Sequence, residues 1–344
     1  MTAESTPLII DKIVRETDRA KTIFVKHKDG SPVAYKPGQF MHFGFRQLNA
    51  IAYRSYSLST IPEEGAAFTV KEMENGDVSR SLQQYKEGDT LNLINVGGKF
   101  VLPQNMEAIQ QVFLFAAGSG ITPVFAILKQ ILKHHPGISV YLAYSNSTPA
   151  ATIFYEAIKA LAEDYPERLQ VNFIFSSNKN LLKARLSGFW LQEIVQEHRK
   201  AAWENILAYT CGPVEYMDNI KITLFTCGIR SEHFYMEYFE TISDGLLLPP
   251  PDQELHRVTI KLLGQEHHLE VQYPDTILSA GVNAGLKLPY SCRSGQCGSC
   301  TARLVSGEVW LQYNEVLTPD DLRNGLTLTC MGCPVNGDVT LQYD

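Results

Sequence analysis

Four cysteines near the C-terminus constrain this chain more than any other feature: Cys292, Cys297 and Cys300 at x4 and x2 spacing, then Cys330 after a further 29 residues. Two irons bridged by two sulfides need four thiolates, and this is the ligand spacing of plant-type [2Fe–2S] sites. Ser291, Ser294, Gly295, Gly298 and Ser299 are small. They let the loop backbone approach a cluster closely and turn its N–H groups toward the sulfides. A zinc site built from Cys297-x2-Cys300 and Cys330-x2-Cys333 is the competing arrangement. It leaves Cys292 without a role, and the small residues around the x4–x2 loop favour the cluster. Spacing alone leaves either Cys330 or Cys333 as the fourth ligand. The other two cysteines are Cys211 and Cys227. An odd, clustered set with no apolar leader in residues 1–20 does not read as a disulfide framework. It reads as metal chemistry in a reducing compartment, and a cytoplasmic location is expected.

The bulk composition excludes some classes. With 37 acidic and 30 basic residues the net charge is −7, which argues against a nucleic-acid partner. The apolar stretch Val112 to Leu128 is shorter than the ~20 residues of a membrane span. It is also interrupted by Gly118-Ser119-Gly120 and Thr122-Pro123, so no membrane span is expected.

Three regions differ in pattern. The first third carries short apolar runs at Leu8–Ile10, Ile13–Val14, Thr22–Val25, Phe40–Phe45, Tyr53–Leu58, Phe68–Val70 and Leu91–Val96, with turn signals at Asp29-Gly30 and Pro37-Gly38. Strands at this spacing predict a small antiparallel barrel or sandwich. From residue 110 strand and helix patterns alternate. Buried-type strands are expected at Val112–Ala116, Ser139–Tyr144, Gln170–Phe175 and Ile206–Thr210, and helices after Thr122-Pro123 and over Ala151–Tyr165. Thr122 is the expected cap and Pro123 sits in the first turn. That alternation implies a parallel α/β sheet. Leu246 to Pro251 reads LLLPPP, a stiff connector. Beyond it, Val258–Leu263 and His268–Val271 predict a hairpin that opens a third domain. The expected division is 1–106, 107–245, a linker at 246–254, and 255–344.

Three segments carry phosphate-binding chemistry. Arg54-Ser55-Tyr56-Ser57 ends a strand-like run. Arg54 offers a guanidinium fork to phosphate, Tyr56 an aromatic face to an isoalloxazine ring, and Ser57 a hydroxyl near flavin N5. An alternating strand without a ligand fits the same four residues. Gly76-Asp77-Val78-Ser79 precedes an expected helix, Ser79 to Tyr85, whose start suits pyrophosphate. Gly118-Ser119-Gly120-Ile121-Thr122-Pro123 lies between strand and helix, where glycines let the backbone approach a phosphate. It lacks the third glycine of the full dinucleotide fingerprint. Cys211-Gly212-Pro213 follows a strand at what would be the C-terminal edge of the sheet, where α/β sheets bind ligands.

Taken in order, R-x-Y-S, G-x-x-S, G-S-G-I-T-P, C-G-P and C-x4-C-x2-C…C resemble the ferredoxin–NADP reductase superfamily fused to a C-terminal plant-type ferredoxin. The resemblance covers nearly the whole chain. It is strongest to reductase components of multicomponent oxygenases, the reductase subunits of phenylacetyl-CoA epoxidases among them. It implies a multidomain fold: an antiparallel β-barrel flavin domain, a parallel-sheet α/β nucleotide domain and an α+β β-grasp ferredoxin domain. It implies FAD rather than FMN, a [2Fe–2S] cluster, and NADH or NADPH as electron donor. Arg54, Ser55, Tyr56, Ser57, Gly76, Val78 and Ser79 then hold the flavin. Gly118, Gly120, Thr122, Gly212 and Pro213 hold the nucleotide. Ser57, Thr122 and Cys211 align the reacting groups. Cys292, Cys297, Cys300 and Cys330 ligate the cluster, and Cys333 lies outside the pattern. Glu237 and Phe239 resemble the family's ending of the nucleotide domain, with Glu237 either near the flavin or paired with a base. NADPH-using relatives often carry an arginine after the strand ending here at Tyr144-Ser145-Asn146. Ser147 and Thr148 stand there instead, a tilt toward NADH that Lys179 or Arg185 can offset. The expected electron acceptor is an oxygenase component. The alternatives are a fatty-acid desaturase, another ferredoxin-dependent enzyme, or a redox-sensing role.

Overall fold

The computed structural model describes residues 5–46, 51–74, 76–239 and 249–343. They form two compact units, the larger ending at Phe239 and the smaller holding the described residues from Pro249 onward. Residues 246–248 of the expected linker lie outside the described residues. Among the described residues no helix is long and apolar enough to cross a membrane.

The larger unit begins with an antiparallel sheet of β1 (Thr6–Thr17), β2 (Ala20–His27), β3 (Phe40–Arg46), β4 (Ile51–Ser57), β5 (Ala66–Lys71) and β6 (Thr90–Gly97). The strand order is β4-β3-β6-β1-β2-β5. An isolated antiparallel bridge between Leu58 and Phe68 joins the two end strands. The sheet thus closes on a core containing Leu8, Ile10, Ile23, Met41, Phe43 and Phe68, all at most 1% exposed. Closure removes the edges that an open sheet would present.

A parallel sheet follows: β7 (Gln111–Ala117), β8 (Ser139–Asn146), β9 (Leu169–Phe175), β10 (Ile206–Cys211) and β11 (Phe234–Glu237), in the order β11-β10-β7-β8-β9. Chain order reverses between β7 and β10. This is the topological switch point, where open α/β sheets bind ligands beyond the strand C-termini. It lies between the two segments that the sequence singles out, Gly118–Gly120 after β7 and Cys211–Pro213 at the end of β10. The connecting helices after α1 (Asp77–Leu82) are α2 (Ile121–His134), α3 (Tyr155–Asp164), α4 (Gly188–His198) and α5 (Val214–Cys227). The barrel and this sheet share a core, since Ala20 and Phe100 pack in one cluster with Val112, Leu128 and Tyr209.

The smaller unit holds β12 (His256–Leu262), β13 (Gln265–Val271), β14 (Thr301–Leu311), β15 (Leu326–Leu328) and β16 (Gly332–Gln342), ordered β13-β12-β16-β14-β15. β12 and β16 run parallel and the other pairs antiparallel, so the sheet is mixed. The expected hairpin is β12–β13. Its turn has Leu263 at φ 50 and Gly264 at φ 78. Two adjacent positive φ angles match the twist of the flanking strands. α6 (Ile277–Asn283) starts with a Thr276–Ser279 capping box, and α7 (Pro319–Arg323) with Thr318–Asp321.

Local differences from the sequence reading have physical causes. α1 starts at Asp77 rather than Ser79 and stops at Leu82, so it is a turn and a half. Gly120, not Thr122, occupies the N-cap of α2. Thr122 sits inside the first turn, where its hydroxyl donates to the Ser119 carbonyl at 3.0 Å. α3 starts four residues late, because Thr148 caps a separate short turn at Pro149–Ala151 and Phe154 adopts a left-handed φ of 60.

Candidate functional site

β4 brings the first set of predicted residues to the barrel surface. Arg54 and Ser55 are exposed, Tyr56 is half-buried and Ser57 is buried. Arg54 lies opposite Phe43 and Tyr56 opposite Met41 across the β3–β4 pair. The Tyr56 ring centre is 5.3 Å from that of Phe68. Burial pushes its phenol up to about 12, against the pull of Arg54. Ser55 Oγ is 2.9 Å from Nδ1 of the buried His42. The Arg54 guanidinium donates to the Tyr53 carbonyl, which leaves other N–H donors of its fork for an anion. In the second segment Ser79 is buried, and its hydroxyl accepts from the Met73 N–H at 3.1 Å and donates to the Gly76 carbonyl at 3.0 Å. A side chain at Gly76 would overlap that hydroxyl. Val78 is buried in the barrel core. Ser79 and Val78 therefore shape the Gly76 turn from within.

The two glycine-bearing turns, Gly118–Gly120 and Cys211–Pro213, meet backbone to backbone at the switch point. A Cβ on Gly120 would overlap the Cys211 carbonyl, and one on Gly212 would lie 2.9 Å from the Ala117 Cβ. Glycine is required at both places by proximity alone. Gly118 differs: it has a φ of +55, and a Cβ there would make only an ordinary 3.8 Å contact with Lys71 Nζ. Pro213 caps α5. Two tyrosines, the buried Tyr144 and the half-buried Tyr216, hold this edge. Tyr144 donates to the Gly118 carbonyl at 3.0 Å and Tyr216 to the Ala116 carbonyl at 3.1 Å. Tyr144 ends an apolar strand pattern in which it reads as ordinary core, so nothing local marks its role.

β4 and the switch point converge on one hydrogen bond. Ser57 Oγ donates to Glu237 Oε2 at 2.9 Å. Glu237 lies opposite Cys211 on β10. Its partner is this hydroxyl rather than a base. Burial pushes the Glu237 carboxyl up to about 8, the Ser57 hydrogen bond working the other way. Burial, with Glu237 adding to it, also pushes the Cys211 thiol well up. At neutral pH Cys211 is therefore a small neutral group rather than a thiolate nucleophile. Thr122 in the first turn of α2 and Cys211 and Ser57 at strand ends are all at most 4% exposed.

In the smaller unit the four predicted ligands gather as two pairs. The Cys292 thiol lies beside that of Cys297, and the Cys300 thiol beside that of Cys330, each close enough to shift the other's titration. The charge of Cys292 is felt at both Cys300 and Cys330, so the pairs are adjacent. Among the described residues no three acidic, histidine or cysteine side chains converge on a single ion position. Two adjacent thiol pairs are instead what two bridged irons require, one pair for each. Ser294 N–H points at Cys292 Sγ from 3.4 Å and Cys292 N–H at Cys297 Sγ from 3.5 Å. Gly295 has φ +72, and a Cβ there would lie 2.7 Å from the Tyr313 carbonyl. The donor set and the close loop fit a [2Fe–2S] cluster. Cys333 sits on β16 opposite Trp310 and takes a 3.5 Å hydrogen bond from Gln312.

Comparison with known proteins agrees with this geometry. The family described as "2Fe-2S iron-sulfur cluster binding domain" matches residues 260–335, and "Oxidoreductase NAD-binding domain" matches 114–221. The ferredoxin reductase component of 3-ketosteroid-9-alpha-monooxygenase from Rhodococcus rhodochrous is 30% identical over 99% of this chain and 97% of its own length. The chain belongs to the ferredoxin reductase family that carries a C-terminal [2Fe–2S] domain. A component of the 1,2-phenylacetyl-CoA epoxidase of Escherichia coli is likewise 30% identical, over 98% of this chain and 97% of its own. In fold the reductase matches phthalate dioxygenase reductase, a modular structure for electron transfer from pyridine nucleotides to [2Fe-2S]. The TM-score is 0.60 at 21% identity, with 98% of each chain covered.

Proposed function

We propose that this reductase draws electrons from NADH or NADPH through FAD to its own [2Fe–2S] cluster and delivers them singly to the oxygenase component of a multicomponent system. The observation that carries the reading is the Ser57–Glu237 hydrogen bond, which ties the end of the flavin-type strand to the C-terminal edge of the nucleotide sheet. A flavin bound there converts the electron pair of a nicotinamide into the single electrons that a [2Fe–2S] centre accepts.

The chain's own residues bind, orient and exclude water. Arg54 takes the flavin phosphate as a charge-assisted pair, Tyr56 lies along the ring system, and the Gly76–Ser79 turn receives the pyrophosphate with its backbone. Gly118 and Gly120 let the nucleotide phosphates approach the start of α2. Gly212 and Pro213 shape the far side of the cleft, and Thr122 and Cys211 set the position of the nicotinamide. Glu237 keeps its proton at neutral pH and holds the Ser57 hydroxyl in place. The junction thus carries no net charge from this pair, and neither residue acts as an essential acid or base. Cys292, Cys297, Cys300 and Cys330 hold the cluster. Lys179 and Arg185 are exposed on the segment after β9, and the donor is either nucleotide.

The test is reduction of two acceptors, ferricyanide and a candidate oxygenase component, by wild type and Cys330→Ser with each nucleotide. The reading expects ferricyanide reduction in both proteins and transfer to the oxygenase only in wild type. Transfer to the oxygenase undiminished in Cys330→Ser contradicts it.

A further inference from the structure

The end of β4 and the segment that follows it are pinned to the parallel sheet and its helix α2 at three points. Ser57 is bound by Glu237 of β11. Seven residues on, Glu64 is bound by Lys129 in the middle of α2, and the adjacent Glu63 lies 2.9 Å from His134 at the end of the same helix. The Lys129 side chain is only 12% exposed, and its ammonium rests 4.5 Å from the centre of the Phe125 ring. Glu64 Oε2 also accepts from the Ile61 N–H at 3.2 Å, which fixes the carboxylate to the turn that carries it.

A second connection runs through the barrel wall. Glu16 lies close enough to Lys129 for each to favour the other's charged form. Its carboxylate accepts from Thr22 Oγ1 at 2.6 Å. Thr22 and Thr69 hydroxyls are 2.8 Å apart, and Thr69 and Ser59 hydroxyls are 2.8 Å apart. Thr22, Thr69 and Ser59 are each at most 5% exposed. Ser59 stands two residues past Ser57. A buried row of hydroxyls thus leads from just past β4 to the Glu16 carboxylate. Burial disfavours the charged forms of Lys129 and Glu16, so the row is held only while its members keep their partners.

We infer that Lys129 is a positioning residue: through its ion pair with Glu64 it fixes α2, and with it the Gly118–Thr122 loop at its start, against the segment that continues the strand carrying Arg54 to Ser57. The inference rests on the proposed electron-transfer reading. A helix transmits a displacement along its length with little loss. Lys129 is eight residues from the first residue of α2, about 12 Å along the axis. A shift of ~1 Å between reacting groups costs about 100-fold in rate, so loss of the anchor lowers the rate of the reaction more than the affinity for the nucleotide.

The experiment compares Lys129→Met, Lys129→Arg, Glu64→Gln and wild type, each loaded with flavin and cluster. Stopped-flow mixing with NADH or NADPH gives the limiting rate of flavin bleaching and the nucleotide Kd. The long-wavelength charge-transfer absorbance of the nucleotide–flavin complex reports stacking independently of turnover, and a melt gives Tm. Lys129→Met and Glu64→Gln are expected to lose about tenfold or more in limiting rate. The charge-transfer band weakens, Kd moves by less than about threefold, and Lys129→Arg stays within about threefold of wild type in rate. A lowered Tm with an unchanged limiting rate and band in both Lys129→Met and Glu64→Gln overturns the inference, because the network then only stabilises the fold. A wild-type chain whose flavin neither nucleotide reduces overturns the functional reading and this inference together.

Discussion

Ser57 and Glu237 stand 180 positions apart in the chain, yet the hydroxyl of one donates to the carboxyl of the other at 2.9 Å. The carboxyl is pushed up from 4.5 to about 8 by burial. Between those values the folded protein keeps a proton that the unfolded chain releases, so stability falls as pH rises through that window. The thermal midpoint of wild type is expected to drop by several degrees more than that of Glu237→Gln between pH 5 and pH 8. Parallel melts of the two proteins across this range check it, and equal slopes would remove Glu237 as the source.

The same pair sets a kinetic expectation. Ser57→Ala removes the hydroxyl expected near flavin N5 and leaves the Glu237 carboxyl without its donor. The limiting rate of flavin bleaching by NADH or NADPH is expected to fall roughly 10- to 100-fold. The change in nucleotide Kd is expected to be small. Stopped-flow traces over a range of nucleotide concentrations separate the two quantities.

Gly118 and Gly120 make opposite demands. Gly120→Ala drives a methyl into the Cys211 carbonyl, and overpacking of this kind costs about 1–3 kcal/mol. Gly118→Ala meets only an ordinary contact with Lys71 Nζ at 3.8 Å but must hold a φ of +55, which costs about 1–2 kcal/mol. Both are expected to lower Tm. Only Gly120→Ala is expected to displace the Cys211–Gly212 turn and weaken nucleotide binding at least tenfold, as measured by titration.

What was legible in the chain followed the range of the interactions. The cysteine loop could be read because its ligands are set by a spacing of a few residues. The barrel strands and β7 to β10 could be read because each carries its own apolar pattern. The C-terminal edge of the sheet could be placed from the turn after β10, but the switch point could not, because it depends on the strand order β11-β10-β7-β8-β9. Glu237 could be flagged by resemblance, but not joined to Ser57, because the bond depends on β11 lying beside β10. The row Ser59–Thr69–Thr22–Glu16 was invisible for the same reason: each member is an ordinary polar residue on its own strand. α4 and α5 lay outside the reading, and Thr122 was misplaced as a cap because Gly120 leaves no side-chain signal of its own.

Cys330 and Cys333 are distinguished by their partners. Cys330 pairs with Cys300, whereas Cys333 is bound by Gln312. Cys330→Ser is expected to lose the cluster's visible absorption and reduced-state electron paramagnetic resonance signal. Cys333→Ser is expected to keep both. The reverse result would make Cys333 the fourth ligand.

The most direct test of electron entry and relay within one chain is an anaerobic titration of the purified protein with NADH, and separately with NADPH, followed by visible absorption. Flavin and cluster bands are both expected to bleach, with about three electrons taken up per chain, two by the flavin and one by the cluster. A protein that contains flavin and cluster but is reduced by neither nucleotide would contradict the relay, and would remove the Gly118–Pro123 loop from any part in electron entry.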